Sequence, residues 1–195
     1  MKQKSGIKVG AIICGVVALI VVIFGIFYAS NANKFNGLKQ QYESQYGQVQ
    51  AAMQRRNDLI PNMTAAVKGD MKQEKSIFDD LAKARSAYSD AKSPNAKMKA
   101  SDEIHKQTNL LVNVINERYP KLASSSRVHE LMIELEGSEN RINQERRLYN
   151  QDLQAYNTAI GHFPGSIIAG MSGYHYVPYY HADSEAQHAP KVDLN

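Results

Sequence analysis

The stretch that decides the fold is VHELMIELEGSENRINQERRLYNQDLQAYNTAI, residues 128–160. Its apolar side chains return every three, four or seven residues, which is the spacing of one face of an α-helix. That face consists of Val128, Leu131, Met132, Leu135, Ile142, Tyr149, Leu153, Tyr156 and Ile160. Because Ser124–Ser126 can cap its start, the pattern predicts a long helix over about 125–162.

Three further helices are predicted before it. The first follows the same periodicity and continues past Pro61, because helix formers follow that proline, to a stop signal at Gly69–Asp70. The second covers about 71–91, and the third covers about 94–119 with Ser93 as its N-cap and Pro94 at its first position. The apolar face of the first helix comprises Phe35, Leu38, Tyr42, Val49, Met53 and Ile60.

No stretch of residues 31–162 alternates between apolar and polar with the period of two that a strand requires. The sequence therefore predicts an all-α protein. Its residues 31–163 are expected to form a long antiparallel four-helix bundle, because helices joined by short connections become antiparallel neighbours.

Ahead of the bundle, the segment Val9–Ala29 contains no charged residue. At 1.5 Å per residue it is about 31 Å long, enough to cross a hydrocarbon core about 30 Å thick. A cleaved signal peptide is the alternative, with Ser30 and Ala32 as small residues at the cleavage site. Since signal peptides have apolar stretches of about 7–15 residues, we expect residues 1–30 to be a retained transmembrane anchor.

Basic residues near the two ends of this segment predict its orientation. Lys2, Lys4 and Lys8 precede it, whereas Lys34 and Lys39 follow it. The excess on the N-terminal side favours a cytoplasmic N-terminus. We therefore expect a single-pass membrane protein with its C-terminal domain on the outer side.

Composition excludes several other classes. The chain has 23 basic and 19 acidic residues, and its net charge of +4 depends largely on the three lysines at the N-terminus. The remainder is close to neutral, which argues against nucleic acid as a partner. A single Cys excludes a disulfide scaffold and a Cys-based zinc site.

The last segment, residues 164–195, differs from the rest. Gly, Tyr, His and Pro dominate it, and it has no helical period. We expect part of this Tyr- and His-rich tail to pack on the bundle and its end to be disordered.

Polar residues also recur on the predicted helix faces. On the last helix, Asn143, Asn150 and Asn157 recur every seven residues, and Glu139 and Arg146 are also seven residues apart. Residues of the first helix could face these side chains, namely Arg55, Arg56 and Asp58. Three interpretations remain open. The residues form a solvated stripe with i,i+4 pairs, a buried polar network that fixes helix register, or a binding or catalytic site.

A metal site has weaker support. Neither Glu103 with His105 nor His129 with Glu130 has the Glu-x-x-His spacing of di-metal bundles. His162, His175, His181 and His188 could gather around Zn or Ni, although surface histidines are the simpler interpretation. No phosphate-binding loop, H-E-x-x-H or G-x-S-x-G motif occurs. The sequence therefore predicts no catalytic, cofactor-binding or metal-binding residue, no cofactor, and no enzyme.

Several stretches resemble a known family. These are Arg55–Asn62 (RRNDLIPN), Glu134–Ile142 (ELEGSENRI), Arg146–Asn150 (RRLYN), Tyr156–Asn157 and Phe163–Pro164. Together with the apolar segment they resemble the LemA family of bacterial membrane proteins, over about residues 9–165. The resemblance implies a single-pass membrane protein with a bundle of long helices, and it brings no catalytic set with it.

Two functions are compatible with these patterns. The first is a non-enzymatic, membrane-anchored helical scaffold that contacts the lipid bilayer through Val9–Ala29 and binds another protein at the cell envelope. The alternative is a ligand-sensing or metal-binding envelope domain in which the tail closes over a pocket in the bundle.

Overall fold

The computed structural model describes residues 3–180, with side chains from residue 12 onward. Every regular element in this range is an α-helix, so the all-α prediction is confirmed. The helices are α1 Gln3–Val67, α2 Lys75–Asp90, α3 Pro94–Arg118, α4 Pro120–Ala123, α5 Ser126–Gly161 and α6 Gly165–Ser172. Helices α2, α3 and α5 begin and end close to their predicted positions, and α1 ends close to its predicted stop. The single turn of α4 was not predicted.

The apolar segment and the first predicted bundle helix form one continuous helix. α1 passes the expected domain boundary between residues 30 and 31 without interruption. No Gly or Pro occurs between Gly25 and Gly37, so the sequence offers no helix breaker there. Pro61 lies inside α1, as predicted, and the helix ends at Val67.

The start of α3 follows the predicted capping pattern. The Ser93 hydroxyl accepts a hydrogen bond of 3.2 Å from the Ala96 backbone N–H, and Pro94 occupies the first helical position. Because Pro94 lacks a backbone N–H, it leaves one donor fewer to satisfy at this helix end.

The expectation of no helix after Pro164 is wrong for Gly165–Ser172. α6 has only eight residues, too few for a repeating apolar pattern to be recognised in the sequence. Two neighbouring residues, Ile168 and Ala169, are buried. Gly173 ends the helix at φ 72°, in the left-handed region that glycine adopts at little cost.

The described residues divide into two compact units, a division that the sequence analysis did not foresee. The N-terminal unit comprises 3–43 and 151–178, and the central unit comprises 44–150 and 179–180. Both units use residues from α1 and α5.

The N-terminal unit has an aromatic core. Its buried residues are Phe35, Tyr156, Ile160, Ile168 and Ala169. Edge-on ring contacts join Phe35 to Tyr174, with centroids 5.3 Å apart, and Tyr42 to Tyr156, at 5.1 Å. The residues after α6 are therefore attached to the unit through Tyr174.

The central unit has an aliphatic and Met-rich core drawn from its four long helical segments. Many of these residues belong to the predicted apolar faces. They include Val49, Met53, Ile60, Met63, Ile77, Leu81, Met98, Ile104, Leu111, Ile115, Val128, Leu135, Ile142 and Tyr149. The periodicity in the sequence therefore identified much of this core.

Candidate functional site: a buried charge network in the central unit

Charged residues lie inside the core of the central unit. Arg56 on α1 is only 2% exposed. Its guanidinium donates to the carboxylate of Glu139 on α5 and to both the backbone carbonyl and the hydroxyl of Ser101 on α3. Arg56 thus connects three helices, as expected of a buried polar network that fixes helix register.

A second arginine makes a parallel set of contacts. Arg146 on α5 is 7% exposed and donates a 2.7 Å hydrogen bond to Asp102 on α3. It also donates to the Met98 carbonyl at 3.4 Å, and its guanidinium carbon lies 4.4 Å from the centre of the Tyr180 ring. The Tyr180 hydroxyl donates to the other oxygen of Asp102.

The position of Tyr180 is fixed by an asparagine of the predicted polar row. The Asn150 side-chain amide donates to the Tyr180 carbonyl at 2.8 Å and accepts from the Tyr180 N–H at 3.0 Å. In the N-terminal unit, Asn157 makes the same pair of bonds to Val177, at 2.7 and 3.0 Å. Of the three asparagines, only Asn143 is exposed.

The predicted participants therefore separate into two groups. Arg56, Glu139 and Arg146 belong to the network, whereas Arg55 and Asp58 are exposed. Glu139 and Arg146 do not pair with each other, since each bonds to a residue on another helix. The network also includes Ser101, Asp102, His105 and Tyr180, which sequence reasoning missed. Ser101 and Asp102 lie three and four residues after Met98, so the sequence places them on one face of α3 with that residue. This spacing does not indicate which residues of other helices they contact.

Opposite charges balance within the network. Burial raises the pKa of the Glu139 carboxyl, but a hydrogen bond from His105 and the charge of Arg56 outweigh burial and lower this pKa to about 2. His105 Nδ1 lies 3.1 Å from that carboxylate. Burial lowers the pKa of the Arg56 guanidinium from its ordinary value, and the Glu139 carboxylate opposes this shift. Glu139 is therefore ionised at neutral pH.

A cavity of about 460 Å³ adjoins the Arg56–Glu139 pair. Helices α3 and α5 form its sides, and we refer to it as the α3–α5 cavity. Its wall combines polar and apolar side chains, among them His105, Thr108, Asn109, Val112, Asn116, His129, Met132, Ile133 and Asn140. Two buried atoms of lining residues, Arg56 Nε and Thr108 Oγ1, have no hydrogen-bond partner within the described part of the chain.

Of the four histidines considered as metal ligands, His162 and His175 lie within the described residues. His162 and His175 are exposed, and His162 Nδ1 lies 2.9 Å from the Thr158 carbonyl. His181 and His188 lie outside the described residues. Over residues 3–180, no group of three or more His, Cys, Asp or Glu side chains is arranged to hold a metal ion.

Comparison with known proteins identifies the family. A search of curated proteins finds none that matches. The family model described as the LemA family matches residues 45–194. This match begins after the apolar segment and includes the Tyr- and His-rich tail, so it differs at both ends from the range of 9–165 expected from the sequence. Because the match covers most of the chain, the protein belongs to the LemA family.

Proposed function

We propose that this protein is a single-pass protein of the bacterial inner membrane that binds another protein and performs no catalysis of its own. In this proposal the N-terminus is cytoplasmic and the domain matching the family lies outside the membrane. The segments of the central unit act as an antiparallel four-helix bundle, in line with the short 91–93 connection between α2 and α3.

The observation that carries the membrane part of the proposal is the exposed apolar surface of α1. The large apolar side chains from Ile12 to Ile26 are 47–68% exposed. α1 is long and apolar enough to span a bilayer, and none of its most apolar stretch is buried by the described residues. A hydrocarbon environment is the simplest way to cover such a surface.

The α3–α5 cavity supports the binding part of the proposal. Asparagine amides and histidine rings at its wall offer both donors and acceptors, which suit the backbone of a bound protein segment. Val112, Met132 and Ile133 supply apolar contact beside them. A mixture of apolar centre and polar surroundings is typical of protein–protein interfaces.

A small polar ligand is the second candidate. The unpartnered donors Arg56 Nε and Thr108 Oγ1 favour it, because buried polar groups normally have a hydrogen-bond partner. A ligand that accepts hydrogen bonds would satisfy both donors and would correspond to a sensing role.

Site-specific photocrosslinking of the full-length protein in its native membrane tests the proposal. A photoreactive residue replaces Ile133, which is 55% exposed at the cavity, or, as the control, Lys83 on α2, which is 78% exposed. We expect one discrete protein adduct from position 133 and none from position 83.

The two candidates give different results in this experiment. Absence of an adduct at position 133, and equally at Val112 and Met132, would contradict protein binding at the cavity. A small molecule that stays with the purified protein in native mass spectrometry, and is lost in a Thr108→Val variant, would then support the ligand-sensing candidate.

A further inference from the structure

An exposed apolar row runs along α6 in the N-terminal unit. Ile167 and Met171 are 52% and 63% exposed, and they share one helix face because they are four residues apart. The buried residues Ile168 and Ala169 are 0% and 4% exposed and contribute to the core. α6 therefore presents apolar side chains away from the core as well as towards it, unlike an ordinary surface helix with a polar outer face.

The sequence around α6 carries no formal charge. No Asp, Glu, Lys or Arg occurs between Asp152 and Asp183. Solvent-facing surfaces of soluble proteins are normally rich in these residues, and contiguous exposed apolar surface marks a contact with a partner or a membrane. The outer face of α6 thus has the chemistry of a surface that is covered in the functional state.

Contacts within the N-terminal unit place α6 beside the apolar segment of α1. The Tyr28 and Ser172 hydroxyls are hydrogen-bonded at 2.9 Å, and Tyr28 is the last residue but one of Val9–Ala29. At the other end of α6, a Cβ atom on Gly165 would lie 3.2 Å from Phe35 Cζ. α6 therefore runs alongside α1, with its C-terminal end nearest the apolar segment.

We propose that Ile167 and Met171 insert into the headgroup layer of the same lipid bilayer that α1 spans. This inference rests on the proposed membrane span of α1. If the hydrocarbon core ends near Ala29, Met171 lies at its boundary. Ile167, one helical turn earlier in α6, lies about 6 Å further out, within the headgroup layer.

Continuity with α1 favours lipid over a protein partner. Phe24 is 47% exposed and Ile26 is 68% exposed. Both residues lie on α1 just before Tyr28, which contacts Ser172. Tyr28 itself is an aromatic residue with a hydroxyl, the type enriched at membrane–water interfaces. α6 thus extends the apolar surface of α1 at the level where the headgroups begin.

Depth-dependent quenching in the full-length protein tests this proposal. In a Cys14→Ala background, which removes the natural cysteine, a polarity-sensitive fluorophore is attached after Ile167→Cys or Met171→Cys. Val21→Cys serves as the deep control. Gln154→Cys on α5 is the water-exposed control. Gln154 lies near Tyr156, and Tyr156 packs against Tyr42, which is further along α1 from the apolar segment than Tyr28. The protein is reconstituted in phosphatidylcholine–phosphatidylglycerol vesicles with quenchers on the headgroups or acyl chains.

We expect acyl-chain quenchers to abolish most emission from position 21 and to reduce emission at position 171 more than at position 167. Headgroup quenchers should reduce emission from both α6 positions. Position 154 should retain its emission with both. If positions 167 and 171 behave like position 154 while position 21 is quenched, the α6 proposal is wrong and the membrane span stands. If neither the lipid quenchers nor aqueous iodide reduces emission from either α6 label, protein covers α6 and the proposal is overturned. An unquenched label at position 21 would reject the span itself, and the α6 contact with it.

Discussion

Replacing Arg56 by alanine should destabilise the central unit strongly. The change removes the cation that bonds to Glu139 and Ser101, and it leaves the Glu139 carboxylate, 16% exposed, without its arginine. Breaking a buried ion pair by removing one partner costs about 3–5 kcal/mol. Since His105 still contacts the carboxylate, we expect a loss of about 3 kcal/mol, at the lower end of this range.

The neighbouring arginine provides the matched control. Arg55 is exposed and one residue along α1, so its side chain points about 100° away from that of Arg56. Arg55→Ala should cost less than about 1 kcal/mol. Both variants are measured as the full-length protein in mild detergent, by urea unfolding followed through helical ellipticity.

Removal of Glu139 shows whether the loss arises from the pair. If Arg56 and Glu139 act together, the double variant Arg56→Ala/Glu139→Ala should lose clearly less free energy of unfolding than the sum of the two single variants. Equal and small losses for Arg56→Ala and Arg55→Ala, each below about 1 kcal/mol, would refute the buried network.

Three other predictions concern the Glu139 carboxyl, the Arg146–Asp102 pair and the proposed orientation in the membrane. The folded-state pKa of Glu139 is about 2, below the ordinary 4.5, so the Glu139 carboxylate should contribute about 3 kcal/mol to the free energy of unfolding above pH 4.5, and this contribution should disappear as the pH falls towards 2. In Glu139→Gln, unfolding measured against pH should lack this acid-dependent loss of stability, and an acid profile identical to that of the wild type would contradict the prediction. Arg146→Ala should cost about 3 kcal/mol in urea unfolding because it leaves Asp102 without its cation, whereas exposed Arg147→Ala should cost below about 1 kcal/mol, and equal small losses would argue for a solvated stripe. Protease added to intact spheroplasts should digest the domain that follows the apolar segment, and protection until the membrane is permeabilised would reverse the proposed orientation.

Helix positions were predictable because their signal is local. Ser93 and Pro94 mark a helix start through their own chemistry, and the apolar periodicity of α5 needs no knowledge of its neighbours. The same local rules failed for α6, whose eight residues are shorter than two and a half turns.

Partners in the charge network were not predictable, since they depend on how separate helices align. The spacing of seven residues placed Glu139 and Arg146 on one face of α5, but Glu139 bonds to Arg56 on α1 and Arg146 bonds to Asp102 on α3. The contacts of Tyr180 were also not predictable from local spacing, because Asp102 and Asn150, to which it bonds, are distant from it in the sequence. Spacing within one helix reports which residues share a face, but it does not report the register of the opposing helix.

Retention of the apolar segment as a membrane anchor is the central claim, and fractionation combined with intact mass measurement tests it most directly. Native membranes containing the full-length protein are washed with alkaline carbonate, and the protein that remains in the pellet is weighed by mass spectrometry. Because Val9–Ala29 is uncharged and the apolar side chains of Ile12–Ile26 are exposed, the protein should stay in the pellet with residues 1–8 still attached. Release into the supernatant of a shorter chain beginning at Asn33 would contradict the claim and identify the segment as a cleaved signal peptide.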